Sequence, residues 1–139
     1  MKRRLFLASI LALLTNAALA QVHQCQPLKH AKLPAIKGQT YRTARKMLLS
    51  AGWQSQQTIF PPVREEDQGV FYGNGEYFWK KGYVELESCS GTGLAWCSFL
   101  FHDAYGNRLR VSTSGEEGGE GENFHAKVRT VDFVCKKQQ

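Results

Sequence analysis

Beyond its first twenty residues the chain has no apolar run of the ~20 residues a bilayer span needs, so a mature form with a transmembrane helix is excluded. Acid is missing altogether from residues 21–64. No serine stands in a nucleophile elbow, and the acidic residues Glu116, Glu117, Glu120 and Glu122 lack EF-hand spacing. The cysteines do not form the two close pairs of a structural zinc site. Enzymes and metal modules that announce themselves by a local signature are thereby set aside, and no cofactor, metal or catalytic residue is expected.

What is present begins with an address. MKRRLFLASILALLTNAALA has a basic start, a short apolar stretch over 5–14 and a small-residue step at Ala18 and Ala20. That pattern is a secretory signal peptide with cleavage after Ala20. The remaining 21–139 is sized for a single domain with a modest core. Without Lys2, Arg3 and Arg4 the net charge of +6 falls to +3. Residues 21–64 hold all of Lys29, Lys32, Lys37, Arg42, Arg45, Lys46 and Arg64, whereas the acid lies wholly in the rest. Such asymmetry points to an anionic partner for the first third, or to patches that complement each other across the fold. Nucleic acid is a poor fit, because the mature charge is modest and the acidic loop opposes it.

Four cysteines, Cys25, Cys89, Cys97 and Cys135, lie in the exported part. An even count in an oxidising compartment implies two disulfides with three possible pairings, of which Cys25–Cys135 with Cys89–Cys97 is the natural nested one. On the loop-entropy model the short bridge contributes about 2.5 kcal/mol and the long one about 4.5. Between Cys89 and Cys97 the loop SGTGLAW leads into a strand pattern, AWCSFLFH, and not into the helix a phosphate-binding loop requires. The two cysteines therefore read as a staple across a hairpin.

GQTYRTARKMLLSAGW predicts a helix over 40–51, capped by Thr40 and stopped by Gly52, with Tyr41, Ala44, Met47, Leu48 and Ala51 on one face. Residues 53–60 predict a strand, 64–68 a charged loop, and Asn74 to Gly82 a short helix. Strands follow at 84–88, 95–102 and 108–113, with a turn at 103–107 and an acidic, flexible connector at 115–122. Over 123–135 the apolar phase changes from Phe124, Ala126 and Val128 to Val131 and Phe133, which predicts a bulge near Arg129-Thr130. The expected class is α+β: one main helix on an antiparallel meander of four to five strands, spanning 83–135 and stapled by disulfides.

Within LPAIKGQTYRTARKMLLSAGW, residues Pro34, Gly38, Thr40, Ala44, Leu48, Ala51, Gly52 and Trp53 stand in a register that resembles a PASTA repeat over 34–60. PASTA repeats are extracellular modules of penicillin-binding proteins and serine/threonine kinases. The resemblance implies a helix packed on a small sheet and, for some such modules, binding of peptidoglycan fragments. PASTA repeats occur in tandem, and this chain has one copy. The later stretch GYVELESCSGTGLAWCSFLFHDAYGNRLRVST is similar to small exported bacterial proteins of unassigned function.

The chain thus reads as an exported, periplasmic or secreted binding module, using Arg42, Arg45, Lys46 and Trp53 to hold peptidoglycan or another anionic envelope component. A second reading is an inhibitor or immunity protein that meets an envelope-directed enzyme through a loop such as 115–122. A third is a small hydrolase with His102 and His125 as acid and base, Lys127 nearby. Glu85 and Glu87, two apart on one strand, read as a solvated face before a carboxylate pair. Trp53, Trp79 and Trp96 read as packing before a ligand groove.

Overall fold

Thr40 starts the first helix as the spacing requires. Its backbone is extended (φ −62°, ψ 150°) and its hydroxyl accepts from the Thr43 amide at 3.3 Å. Helix α1 runs Tyr41–Ser50 and buries Tyr41, Ala44 and Leu48. It ends in a Schellman motif: Gly52 takes φ +96°, its amide donates to Leu49, and the Trp53 amide donates to Leu48. That turn delivers Trp53 into the core at 1 % exposure, where its Nε1 donates to the Lys32 carbonyl at 3.0 Å and ties down the lead-in. The computed structural model describes residues 25–135, so the expected signal peptide over 1–20 lies outside the described residues.

Strand β1 is only Gln54–Ser55, shorter than the expected 53–60, because from Gln56 onward the chain bonds the carbonyls of Leu100 and Val84 and then leaves the sheet before Pro61 and Pro62. The expected charged loop is a 3-10 helix, Glu65–Phe71. Asp67 folds back on it, accepting from the Arg64 amide at 3.0 Å and from the Arg64 guanidinium. Helix α2, Gly75–Lys80, follows and is stopped by Gly82 at φ +75°. Gly75 has to be glycine, since a Cβ there would lie 1.9 Å from the Val70 carbonyl.

Strands β2 (Leu86–Cys89), β3 (Cys97–His102), β4 (Arg108–Ser114) and β5 (Lys127–Phe133) complete an antiparallel sheet of five. β3 and β4 are central, β5 flanks β4, and β1 and β2 share the other side of β3, opposite its end and its start. Ser112 pairs with Thr130 but Thr113 pairs with Val128, so Arg129 is the extra residue of a bulge. The bulge lets Val128 and Val131 both join the core, as the phase change in the sequence required.

Both disulfides are the nested pair, with Cα–Cα separations of 5.4 Å for Cys25–Cys135 and 4.1 Å for Cys89–Cys97. Cys89 faces Cys97 directly in the β2–β3 register, so the staple closes the hairpin. The class is α+β. α1 covers one face of the sheet, where Tyr41 stacks on Phe99 at 3.6 Å between ring centres. The opposite face carries Arg110, which grips the Glu87 carboxylate with two bonds of 2.6 Å while Ser98 donates to the same group. Among the described residues no helix is long and apolar enough to cross a membrane.

Candidate functional site

A register irregularity between Leu86 and Ser88 corrects the expectation for Glu85 and Glu87. They do not share a solvated face. Glu87 sits over the outer sheet face, whereas Glu85 precedes the strand and points under α1 at 0 % exposure. There it accepts from Tyr41 Oη at 2.8 Å and Arg45 Nε at 2.5 Å. Burial raises the Tyr41 hydroxyl well above its ordinary range, with the Glu85 charge adding to the effect. Burial by itself lowers the Arg45 guanidinium, but hydrogen bonding and charge pairing with Glu85 hold it above its usual value.

The four residues expected to bind ligand are consequently dispersed. Arg45 is neutralised inside the fold, Trp53 is buried, and Lys46 stands exposed by a shallow groove with Lys32 and Met47. Arg42 alone enters a cleft. Trp79 packs edge-on against Phe71, and Trp96 is exposed at the stapled end, so the three tryptophans have separate surroundings.

The cleft, about 160 Å³, opens at the first turn of α1. Thr40 and Arg42 come from that turn, Tyr77 and Phe78 from α2, Tyr83 from the segment after α2, and Glu117 and His125 from the loop before β5. Arg42 is 43 % exposed and lies 3.6 Å from the exposed Glu120; its Nη2 donates to Tyr77 Oη at 3.4 Å. The Tyr77 bond, with the charge of Glu120 among lesser causes, keeps the guanidinium above its usual value. Glu120 itself is lowered, first by the Lys81 ammonium and then by Arg42. Burial raises the Tyr83 hydroxyl against the opposing charges of Arg42 and Arg45.

The acidic 115–122 segment has no regular secondary structure, but its first half is tied to the fold by hydrogen bonds that its composition does not reveal. Asn74 stands at the N-cap of α2, as expected, but its side chain makes no capping bond there. Its amide instead donates to the Gly115 carbonyl at 2.8 Å, and its carbonyl accepts from the Glu117 amide at 3.0 Å. The Glu117 side chain, 7 % exposed, accepts from the Gly119 and Ala126 amides and meets His125 Nδ1 at 2.7 Å. Nothing in GEEGGEGE marks Glu117 as different from its neighbours, so sequence reasoning missed this pair.

His102 and His125 do not meet. His102 ends β3 opposite Arg108 and bonds Gln54, whereas His125 precedes the Lys127–Ser114 pair at the other end of the sheet. The length of β3 alone separates them by roughly 17 Å, and a two-histidine acid–base site is not formed. Among the described residues no group of three histidine, cysteine or acidic side chains is placed to hold a metal ion. In comparisons with protein-family models, curated proteins and solved structures, nothing matches the chain.

Proposed function

We propose that the protein is an exported, non-catalytic binding protein of the bacterial cell envelope that holds an anionic component, peptidoglycan among the candidates, in the Arg42 cleft. The observation that carries this reading is the contrast within the basic first third: Arg45 is neutralised by Glu85, while the exposed Arg42 lines a concave site of polar and aromatic groups. Its partner Glu120 is 68 % exposed, and such surface pairs yield readily to a ligand carboxylate or phosphate. Export to the periplasm or beyond is supported by the leader-like first twenty residues, both disulfides, and the PASTA-like register of 34–60. The test is salt-dependent co-sedimentation of the oxidised mature protein with insoluble peptidoglycan. Retention is expected to fall in Arg42→Glu and to persist in Lys46→Glu; equal retention of both variants overturns the assignment to the cleft.

A second reading, an inhibitor or immunity protein, rests on a different observation. Leu94 and Trp96, 66 % and 40 % exposed, lie in the loop closed by Cys89–Cys97, and that loop is fixed further by the Gly115 amide on the Leu94 carbonyl. A loop held in one shape has little ordering entropy left to lose on docking. Capture of one periplasmic enzyme that is lost in Trp96→Asp and kept in Arg42→Glu supports this reading over the first.

A further inference from the structure

Resting on the reading of the Arg42 cleft as the binding site, we infer that its anion seat is a clamp of two cations, Arg42 and Lys81. Glu120 fills this seat in the free protein as an internal competitor, which the carboxylate or phosphate of a ligand must displace.

One oxygen lies between the two cations. Glu120 Oε1 accepts from Lys81 Nζ at 3.2 Å and lies 3.6 Å from Arg42 Nη2. Tyr77 stands against both: its hydroxyl accepts from Arg42 at 3.4 Å, and its ring centre is 5.8 Å from the Lys81 ammonium. Arg42 comes from the first turn of α1 and Lys81 from the end of α2, so only the fold brings them together. Their side chains are 43 % and 39 % exposed, whereas Arg45 is spent on a carboxylate that is fully buried. Two cations converging on one point repel each other unless an anion sits there. Glu120 is that anion, and its carboxyl is accordingly lowered, first by Lys81 and then by Arg42. A neutral ligand gains nothing from either cation, so the seat selects a molecule that brings its own anionic oxygen.

The loop holds Glu120 by much less than it holds Glu117. Its anchoring bonds fall at Gly115, Glu117, Gly118 and Gly119. Glu120 comes after them, 68 % exposed, between Gly119 at φ +87° and Gly121 at φ +89°. A Cβ at Gly119 would lie 3.2 Å from the Tyr77 ring, so glycine allows the close approach that sets Glu120 beside the clamp. Around Gly121 there is open space. Rotation about the two glycines carries the carboxylate away while Asn74 keeps Glu117 in place. The exchange replaces one anion by another and breaks only exposed ion pairs, each worth little in water.

Titration of the oxidised, 15N-labelled mature protein with acetate and with inorganic phosphate tests this, read by the amide shifts of Lys81, Gly119 and Gly121. Glu120→Gln is expected to tighten binding of at least one anion about three- to tenfold, the span of one or two exposed ion pairs. Tightening for acetate alone assigns the seat to carboxylates, and tightening for phosphate alone assigns it to phosphates; either supports the clamp. Glu122→Gln removes the same charge two residues further along the exposed loop and is expected to change affinity by less than about twofold. Lys81→Gln is expected to weaken binding as Arg42→Gln does, and to remove most of the gain from Glu120→Gln. Equal gains from Glu120→Gln and Glu122→Gln reduce the effect to net charge and overturn the inference. A full gain from Glu120→Gln in the absence of Lys81 overturns it too. If Glu120→Gln binds neither anion more tightly while Arg42-dependent retention on peptidoglycan persists, the inference falls and the broader reading stands. If that retention also fails, both fall.

Discussion

Around Arg45 the charges are closed. Its guanidinium, a carboxylate at 0 % exposure and the hydroxyl of buried Tyr41 satisfy one another beneath α1, beside the largest aromatic cluster of the core. One turn away, the same residue type at Arg42 meets an exposed partner and a tyrosine hydroxyl, in a cleft that His125 also lines. The contrast shows that basic character on a helix says little about binding until burial is known. A charge matched inside the fold contributes to specifying that fold, whereas one left with weak surface partners is available to a ligand.

Glu85→Ala breaks the closed region most severely. It leaves Arg45 and Tyr41 without their acceptor, and a cost of about 3–5 kcal/mol is expected in urea unfolding. A loss below about 1 kcal/mol would mean that Arg45 swings out to water and that the two regions are alike. Asn74→Ala strikes the support of the open region instead. Losing its bonds to Gly115 and Glu117 is expected to cost about 1–3 kcal/mol. It should also broaden or shift the His125 ring resonances, which Glu85→Ala should leave in place. Unchanged His125 signals would sever the support from the site.

Acid separates a third kind of carboxylate from both. Asp103, 3 % exposed, accepts four bonds, from the Ala31, Tyr105 and Asn107 amides and the Asn107 side chain, and so ties the lead-in to the β3–β4 turn. Burial would raise its carboxyl, but the bonds from Asn107, Ala31 and Tyr105 together lower it below the ordinary value. A native carboxyl lower than the unfolded one stabilises at neutral pH. That contribution is lost as pH falls from about 5, just above the ordinary aspartate value, through the lowered native value. Asp103→Asn is therefore expected to flatten the acid limb of a stability-against-pH curve, and an unchanged slope would contradict the assignment. The smallest effect is expected for Arg42→Gln, whose unfolding midpoint should match the wild type while ligand retention falls. A large stability loss there would move Arg42 into the structural class of Arg45.

Much of the fold was legible because its rules are local. Thr40 and Gly52 mark the ends of α1, the change of apolar phase marks the bulge at Arg129, and the nested spacing of the cysteines marks both bridges. The candidate site was legible only at Arg42. Alternation placed Glu85 beside Glu87 because a strand pattern assumes unbroken pleating, and the irregularity before Ser88 removes that premise. Trp53 read both as core packing and as one of the expected ligand contacts, since nothing local distinguishes an exposed tryptophan from one folded under by a Schellman turn. Composition made 115–122 a solvated loop, yet Asn74 and the Ala126 amide, far from it in sequence or across a turn, give Glu117 its partners.

The sequence by itself determined where α1 begins and ends, the strand order of the stapled hairpin, the bulge and the disulfide framework, because backbone bonding, side-chain period and loop closure act between near neighbours or through covalent links. Only the tertiary structure decided which charges are used up and which remain. Neutralising Arg45 requires Glu85 to arrive from forty residues away, and orienting His125 requires Asn74 to reach the loop that holds Glu117. Electrostatic pairing depends on distance in space and on burial, and neither is a property of any short stretch of the chain.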